Sequence, residues 1–141
     1  MSIERNRFEA DRWLRTALDD LDTASILLQN RKHAHACLHA QQAGEKALKA
    51  LWYASDADPW GHSIKKLIDD LERVDLDLRK ELGDLDRSAL FLDRFYVPTR
   101  YPNGLPEITP DIAFTAEDAG TCIEHAESIL ARVQHLLERS R

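Results

Sequence analysis

An all-α fold, an up-and-down four-helix bundle with an additional short helix, is what the sequence predicts, and three observations predict it. Apolar residues recur at helical spacing along most of the chain. Glycine occurs at only 5 of 141 positions. No stretch keeps the period-two alternation of a half-buried strand. With 43% hydrophobic and 31% charged residues, one domain over residues 1–141 is expected to bury a core without metals or disulfides to staple it.

The first helix is expected from Phe8 to Asn30. Ala10, Trp13, Leu14, Ala17, Leu18, Leu21, Ala24 and Leu28 fill one arc, with Arg12, Arg15, Asp19, Asp20 and Asp22 opposite. A second runs from about Ala34 to Ala54 and ends before the turn-forming SDADPWG segment. Ser63 caps a short third helix through Leu71, whose Ile64, Leu67, Ile68 and Leu71 share a side. A fourth is predicted from about Leu76 to Tyr96, with Leu78, Leu82, Leu85, Ala89, Leu92 and Tyr96 on one face. VPTRYPNGLPEITPDIAF, from Val97 to Phe114, then holds four of the chain's five prolines, so no regular helix crosses it. A connection this long in a small bundle is a first place to look for function. Thr115 and Asp118 form a T-x-x-D capping box that opens a last helix, with Ala119, Cys122, Ile123, Ala126, Leu130, Val133 and Leu137 on one arc.

The formal charge of −6 argues against a generic nucleic-acid binder, so any nucleotide contact has to be local. Cys37 and Cys122 each fall within an apolar helical stripe, where free cysteine packs as a small hydrophobe. No apolar run approaches the roughly 20 residues of a membrane helix, and the N-terminus is too charged for a secretory signal. A cytoplasmic protein with no membrane partner is expected.

The second helix, HAHACLHAQQAGEKALKALWYA, has two faces. Ala36, Cys37, Ala40, Ala43, Gly44, Ala47, Leu48 and Leu51 form a packing arc whose small members let another helix approach closely. His35, His39, Gln42, Lys46 and Lys49 step by four, three, four and three down the other arc, with Gln41 and Glu45 along its edge. His35 and His39 have a spacing that zinc sites use, but two ligands do not make a site and Lys46 and Lys49 would oppose a dication, so no metal is expected. The stripe reads either as a solvated helix face or as a local anion site whose imidazole, amide and ammonium groups donate to phosphate.

ACLHAQQAGEKALKALW closely resembles the A-x-x-x-A-Q-Q-A-x-E-K-A-L-K-A-L core of HEPN domains (higher eukaryotes and prokaryotes nucleotide-binding). His62-Ser63 resembles the family's H-S/D before the next helix, FYVPTRYPN its Tyr-x-x-T-R-Y-P-[DN] loop, and FTAEDA its Y/F-T-x-E-D-A helix start. The resemblance implies a helical bundle, often a homodimer, frequently made beside a small nucleotidyltransferase with which it forms a two-component or toxin–antitoxin pair. Some relatives are metal-independent ribonucleases marked by an Arg followed after four to six residues by a His. This sequence lacks that spacing: Arg31 is followed at the required places by Ala36, Cys37 and Leu38, with His35 too near and His39 one residue too far.

The expected function is a nucleotide- or RNA-binding module, without a cofactor, acting with a nucleotidyltransferase partner. The alternative is a metal-independent ribonuclease toxin with a non-standard site lacking the Arg-x4-6-His motif, its His and Arg drawn from different elements. The candidate surface joins His39, Gln42, Lys46 and Lys49 to His62 and to Arg100 and Tyr101 in the proline-rich loop. Arg100 grips phosphate with its fork, Lys46 and Lys49 add charge, and Tyr101 stacks on a base. The competing structural roles are an anchor from Arg100 to Glu117 or Asp118, packing of Tyr101 with its loop, a surface pair between Glu45 and Lys49, and core or rim positions for Trp13, Trp52 and Trp60.

Overall fold

A computed structural model describes residues 2–140. Its described residues form seven α-helices and no strand: α1 (Ile3–Gln29), α2 (His33–Ala54), α3 (Ile64–Asp70), α4 (Leu76–Glu81), α5 (Asp86–Asp93), α6 (Pro110–Ala113) and α7 (Ala116–Arg139). The all-α architecture is as expected. Antiparallel order follows from the pairs that cross between helices. Trp13 stacks on Tyr53 while Asp20 reaches Lys46, so α1 and α2 run in opposite senses. Ser88 meets His125 while Asp84 meets Arg132, so α5 and α7 do too. No helix among the described residues is long and apolar enough to cross a membrane.

Helix α1 begins five residues before the predicted Phe8. Its first turn lacks an apolar arc, and Ile3 is largely exposed, but Ser2 caps it by accepting from the Arg5 backbone N–H at 3.1 Å. Ala10, Ala17 and Ala24 lie on a fully buried line along α1, facing the alanine-rich arc of α2. Small residues on both sides let these two backbones approach. Gly44 marks a close approach to α2 from elsewhere: a Cβ there would sit 2.9 Å from the Ile64 Cδ1 and 3.2 Å from the Leu92 Cδ1.

The predicted fourth helix is in two pieces. It breaks at a 3-10 turn, Gly83–Leu85, and the second piece ends at Asp93, three residues before Tyr96. Gly83 is a poor helix former. The break also has a partner holding it open, because Arg132 of α7 donates to the freed Glu81 carbonyl at 2.6 Å and forks onto the Asp84 carboxylate at 2.8 Å twice. The proline-rich segment is likewise more ordered than a bare excursion. It contains a 3-10 turn at Pro102–Gly104 and the four-residue α6, which opens on Pro110. The Thr115–Asp118 capping box forms in full, at 3.1 and 2.9 Å.

Both cysteines are buried, and the wheel separates them from the histidines as expected. Its neighbour Cys37, together with burial, pushes the Cys122 thiol far above its ordinary range. Trp60 departs from its expected core or rim position: it stands 85% exposed on the loop after α2, whereas Trp52 is buried and donates to the Leu67 carbonyl at 3.0 Å.

Gly44→Val is expected to destabilise the fold by about 1–3 kcal/mol through overpacking against Ile64 and Leu92. Gly44→Ala should stay within about 1 kcal/mol of the parent, because its gain in helix propensity opposes contacts with only the Cδ1 tips of Ile64 and Leu92. Urea midpoints at unchanged m-value check both.

Candidate functional site

His35, at the start of the polar stripe of α2, is exposed, but the rest of the stripe does not face open water. It lies in the seam between α1, α2 and the turn before α3, and Gln41 and Glu45, placed by the helical wheel at its edge, are buried outright. Glu45 is the hub. Its carboxylate accepts from Lys49 Nζ at 3.0 Å and from Gln41 Nε2 at 3.3 Å, and the His62 Nδ1 lies 3.4 Å from both its oxygens. Gln42 Nε2 donates to the Gln41 side-chain Oε1 at 2.7 Å, so it joins the same network from outside. A carboxylate this deep is tolerated only with its partners in place.

His62 is positioned by the end of α5. The Asp93 carboxylate accepts from the Ser63 hydroxyl and the Ile64 backbone N–H, each at 2.7 Å, and from the Lys65 N–H at 3.1 Å. One side chain thus satisfies two of the orphan donors that open α3, with the Lys66 N–H going to the Ser63 hydroxyl, and fixes the turn carrying His62. The His62 ring stacks on Tyr96, with centroids 4.7 Å apart and planes 15° from parallel. The Arg100 guanidinium lies 4.4 Å from the centroid of the same Tyr96 ring. His62 and Arg100, thirty-eight residues apart in the chain, therefore meet through one aromatic side chain. The alternative anchor from Arg100 to Glu117 or Asp118 does not form: Asp118 is engaged in its capping box, and among the described residues no carboxylate pairs with Arg100. Its Nε is buried without a hydrogen-bond partner.

The remaining predicted residues divide. His39 and Lys46 go to Asp20 of α1, at 3.5 and 2.6 Å. The first is an ion-pair distance without a formed hydrogen bond, and the His39 Nδ1 is left unsatisfied. Burial pushes the Asp20 carboxyl up, but His39 and Lys46 outweigh it and hold it below the usual aspartate range. Tyr101 is more than half exposed and lies outside the ring stack. Lys46 and Lys49 are thus already paired, which moves the open chemistry of the surface toward Arg100 and His62. Sequence reasoning misses Tyr96 and Asp20 as site residues, because one sits on the predicted apolar face of its helix and the other on a predicted solvent face.

A second polar pair lies on the α5–α7 seam, where the Ser88 hydroxyl is 2.8 Å from the His125 Nδ1 and Phe91 packs on the imidazole. Burial lowers the His125 pKa, so the neutral ring serves as the partner of a buried hydroxyl. Among the described residues no group of three His, Cys, Asp or Glu side chains is arranged to hold a metal ion.

The HEPN domain family matches residues 10–136, a span that runs from within α1 to most of α7 and takes in every element between. The chain belongs to the HEPN family. Among similar proteins, the Putative toxin MJ1304 of Methanocaldococcus jannaschii is 25% identical over 131 residues, covering 89% of this chain and 86% of its own. Among solved structures, TT1696 from Thermus thermophilus is 39% identical with a TM-score of 0.82, over 90% of this chain and 97% of that one. ST0689, an archaeal HEPN homologue, is 31% identical with a TM-score of 0.75, over 92% and 98%. Within this HEPN domain no Arg is followed by a His after four to six residues, and the Tyr96 ring is what His62 and Arg100 share.

Because the Asp20 carboxylate is stabilised in the folded state, its contribution is present at neutral pH and is lost as the pH falls through its depressed pKa. Asp20→Asn is expected to lower stability at pH 7 by on the order of 1 kcal/mol and to flatten the loss of stability below about pH 4. Urea unfolding across that range checks the sign.

Proposed function

We propose that this HEPN domain is a toxin-related, nucleotide- or RNA-binding module that works with a nucleotidyltransferase partner in the cytoplasm, as a homodimer and within a toxin–antitoxin pair. The observation that carries the reading is Arg100: a guanidinium free of any carboxylate among the described residues, lying over the Tyr96 ring on which His62 also stacks, in a protein of net charge −6. A planar fork with its outer N–H groups uncommitted is suited to grip a phosphate by two parallel hydrogen bonds. Tyr101, exposed next to it, offers a face to a base. His39, Gln42, Lys46 and Lys49 support this surface from the α1–α2 seam by holding its shape and adding nearby charge. The relative's name as a toxin supports the toxin-related part of the reading. Apolar side chains left exposed on α5, in the run after it and on α6 (Leu90, Val97, Ile108 and Ile112) are assigned to contacts with protein partners.

A second reading, a metal-independent ribonuclease, is favoured by one observation. His62 and Arg100 share the Tyr96 ring, and Glu45 lies behind the His62 Nδ1, which leaves Nε2 to serve as base or acid.

Titration calorimetry with nucleoside triphosphates and with short RNA tests the first reading. Arg100→Ala should weaken binding about tenfold to a hundredfold, as expected for a lost charge-assisted fork, and Arg100→Lys should restore it only in part. No heat with either ligand would overturn the reading. RNA cleaved in EDTA by the parent chain and spared by His62→Ala and Arg100→Ala would replace it with the second.

A further inference from the structure

The N-terminal half of α1 carries an exposed ladder that the Arg100 surface does not use. Phe8 is 54% exposed, and the guanidinium carbons of Arg5 and Arg12, three residues before and four after, lie 5.3 and 5.8 Å from its ring centroid. Glu9 binds both arginines, at 3.1 and 2.9 Å, and so holds them along the helix. One turn further on, Arg12, Trp13, Thr16 and Lys46 line an open cleft of about 220 Å³. The Trp13 indole is fixed by stacking on Tyr53, with centroids 5.3 Å apart, and the Lys49 ammonium lies 5.8 Å from the indole centroid.

Exposure decides what this strip shows to a partner. The Glu9, Asp20 and Glu45 carboxylates are sunk to 13%, 14% and 4% exposure, while the Arg5 and Arg12 side chains stand at 53% and 62%. Glu9 anchors Arg5 and Arg12 from below, so the outer layer is guanidinium and ring with the exposed Glu4 and Asp11 carboxylates beside them, while Lys46 and Lys49, 25% and 12% exposed, sit lower in the seam. The strip also connects to the first site by an unbroken set of contacts, from Trp13 to Lys49, Glu45, His62, Tyr96 and Arg100. At its other edge α1 turns acidic, with Asp19 and Asp22 exposed, which limits the length a polyanion can follow.

We propose that Arg5, Phe8, Arg12 and the Trp13 cleft form a binding strip for single-stranded RNA that continues from the Arg100 surface along the α1–α2 seam. Rings alternating with cations match a chain in which bases alternate with phosphates, and stacking of this kind tolerates any sequence. The ligand class rests on the function proposed above; the location does not.

Fluorescence anisotropy of a labelled oligouridylate of about twelve nucleotides, titrated with the full chain at several salt concentrations, tests the strip. Arg5→Gln combined with Arg12→Gln should weaken binding at least about tenfold and reduce the salt slope by about 1.4, roughly 0.7 for each single-strand phosphate that is no longer neutralised. Phe8→Ala should weaken binding about fivefold or more with the slope unchanged, because it removes a stacking face and no charge. A duplex of the same length should bind more weakly than the single strand. Circular-dichroism melts confirm that these surface variants fold. If both sets of variants bind like the parent while Arg100→Ala loses binding, the strip is refuted and the Arg100 site stands. If the parent binds no RNA at any salt, both fall, and tighter binding of a polyglutamate peptide than of RNA would refute the ligand class.

Discussion

Helix α2 is enclosed by α1 on one side and by α3, α5 and α7 on others, so from Gln41 to Lys49 whatever its sequence carries on the polar arc has to be buried or paired. That constraint organises the molecule. A helix lined with alanine and one glycine lets its neighbours come close, and close neighbours leave no water for Gln41 and Glu45. The carboxylate is acceptable only because Lys49, Gln41 and the His62 ring converge on it. The same enclosure drives Lys46 onto Asp20, which would otherwise be a half-buried charge without a partner.

The second consequence is how His62 and Arg100 are assembled. Neither residue is held by the helix it lies nearest. Asp93, at the end of α5, fixes the turn before α3 and with it His62; the run of turns after Asp93 then presents Tyr96 and Arg100 to that histidine. Thr99, almost fully buried, donates to the Phe95 carbonyl and ties this run back to the bundle. Had α5 continued to Tyr96 as a regular helix, Arg100 would have been carried along a different direction. The short second piece of the broken helix is therefore part of the site's construction, and the Arg132 fork on Asp84 stabilises the break that permits it.

Much of the fold is legible because helical periodicity is a local signal. Ser63 and the Thr115–Asp118 box mark helix starts to the residue, and Cys37 can be turned inward from its place among the alanines. The break at Gly83 is hidden because Leu78, Leu82, Leu85 and Ala89 keep a continuous apolar arc across it; one glycine in such a pattern is weak evidence against a helix. The start of α1 is hidden for the opposite reason, since a capped polar turn has no arc to find. Within the site, the residue types of the stripe are readable but their partners are not. Lys46 and Lys49 look like available charge, and it takes the positions of Asp20 and Glu45 to show that both are engaged.

The sequence by itself determined the all-α class, the order of the helices, the two faces of α2 and the absence of an Arg-His pair at nuclease spacing. These depend on neighbours within a few residues, where the backbone's periodicity dictates geometry. Only the tertiary structure decided which polar groups are spent inside the protein and which remain open. Whether a carboxylate is solvated or buried, and whether His62 shares an aromatic ring with an arginine thirty-eight residues away, is set by helices packing against one another and by loops closing at distances that no local pattern encodes.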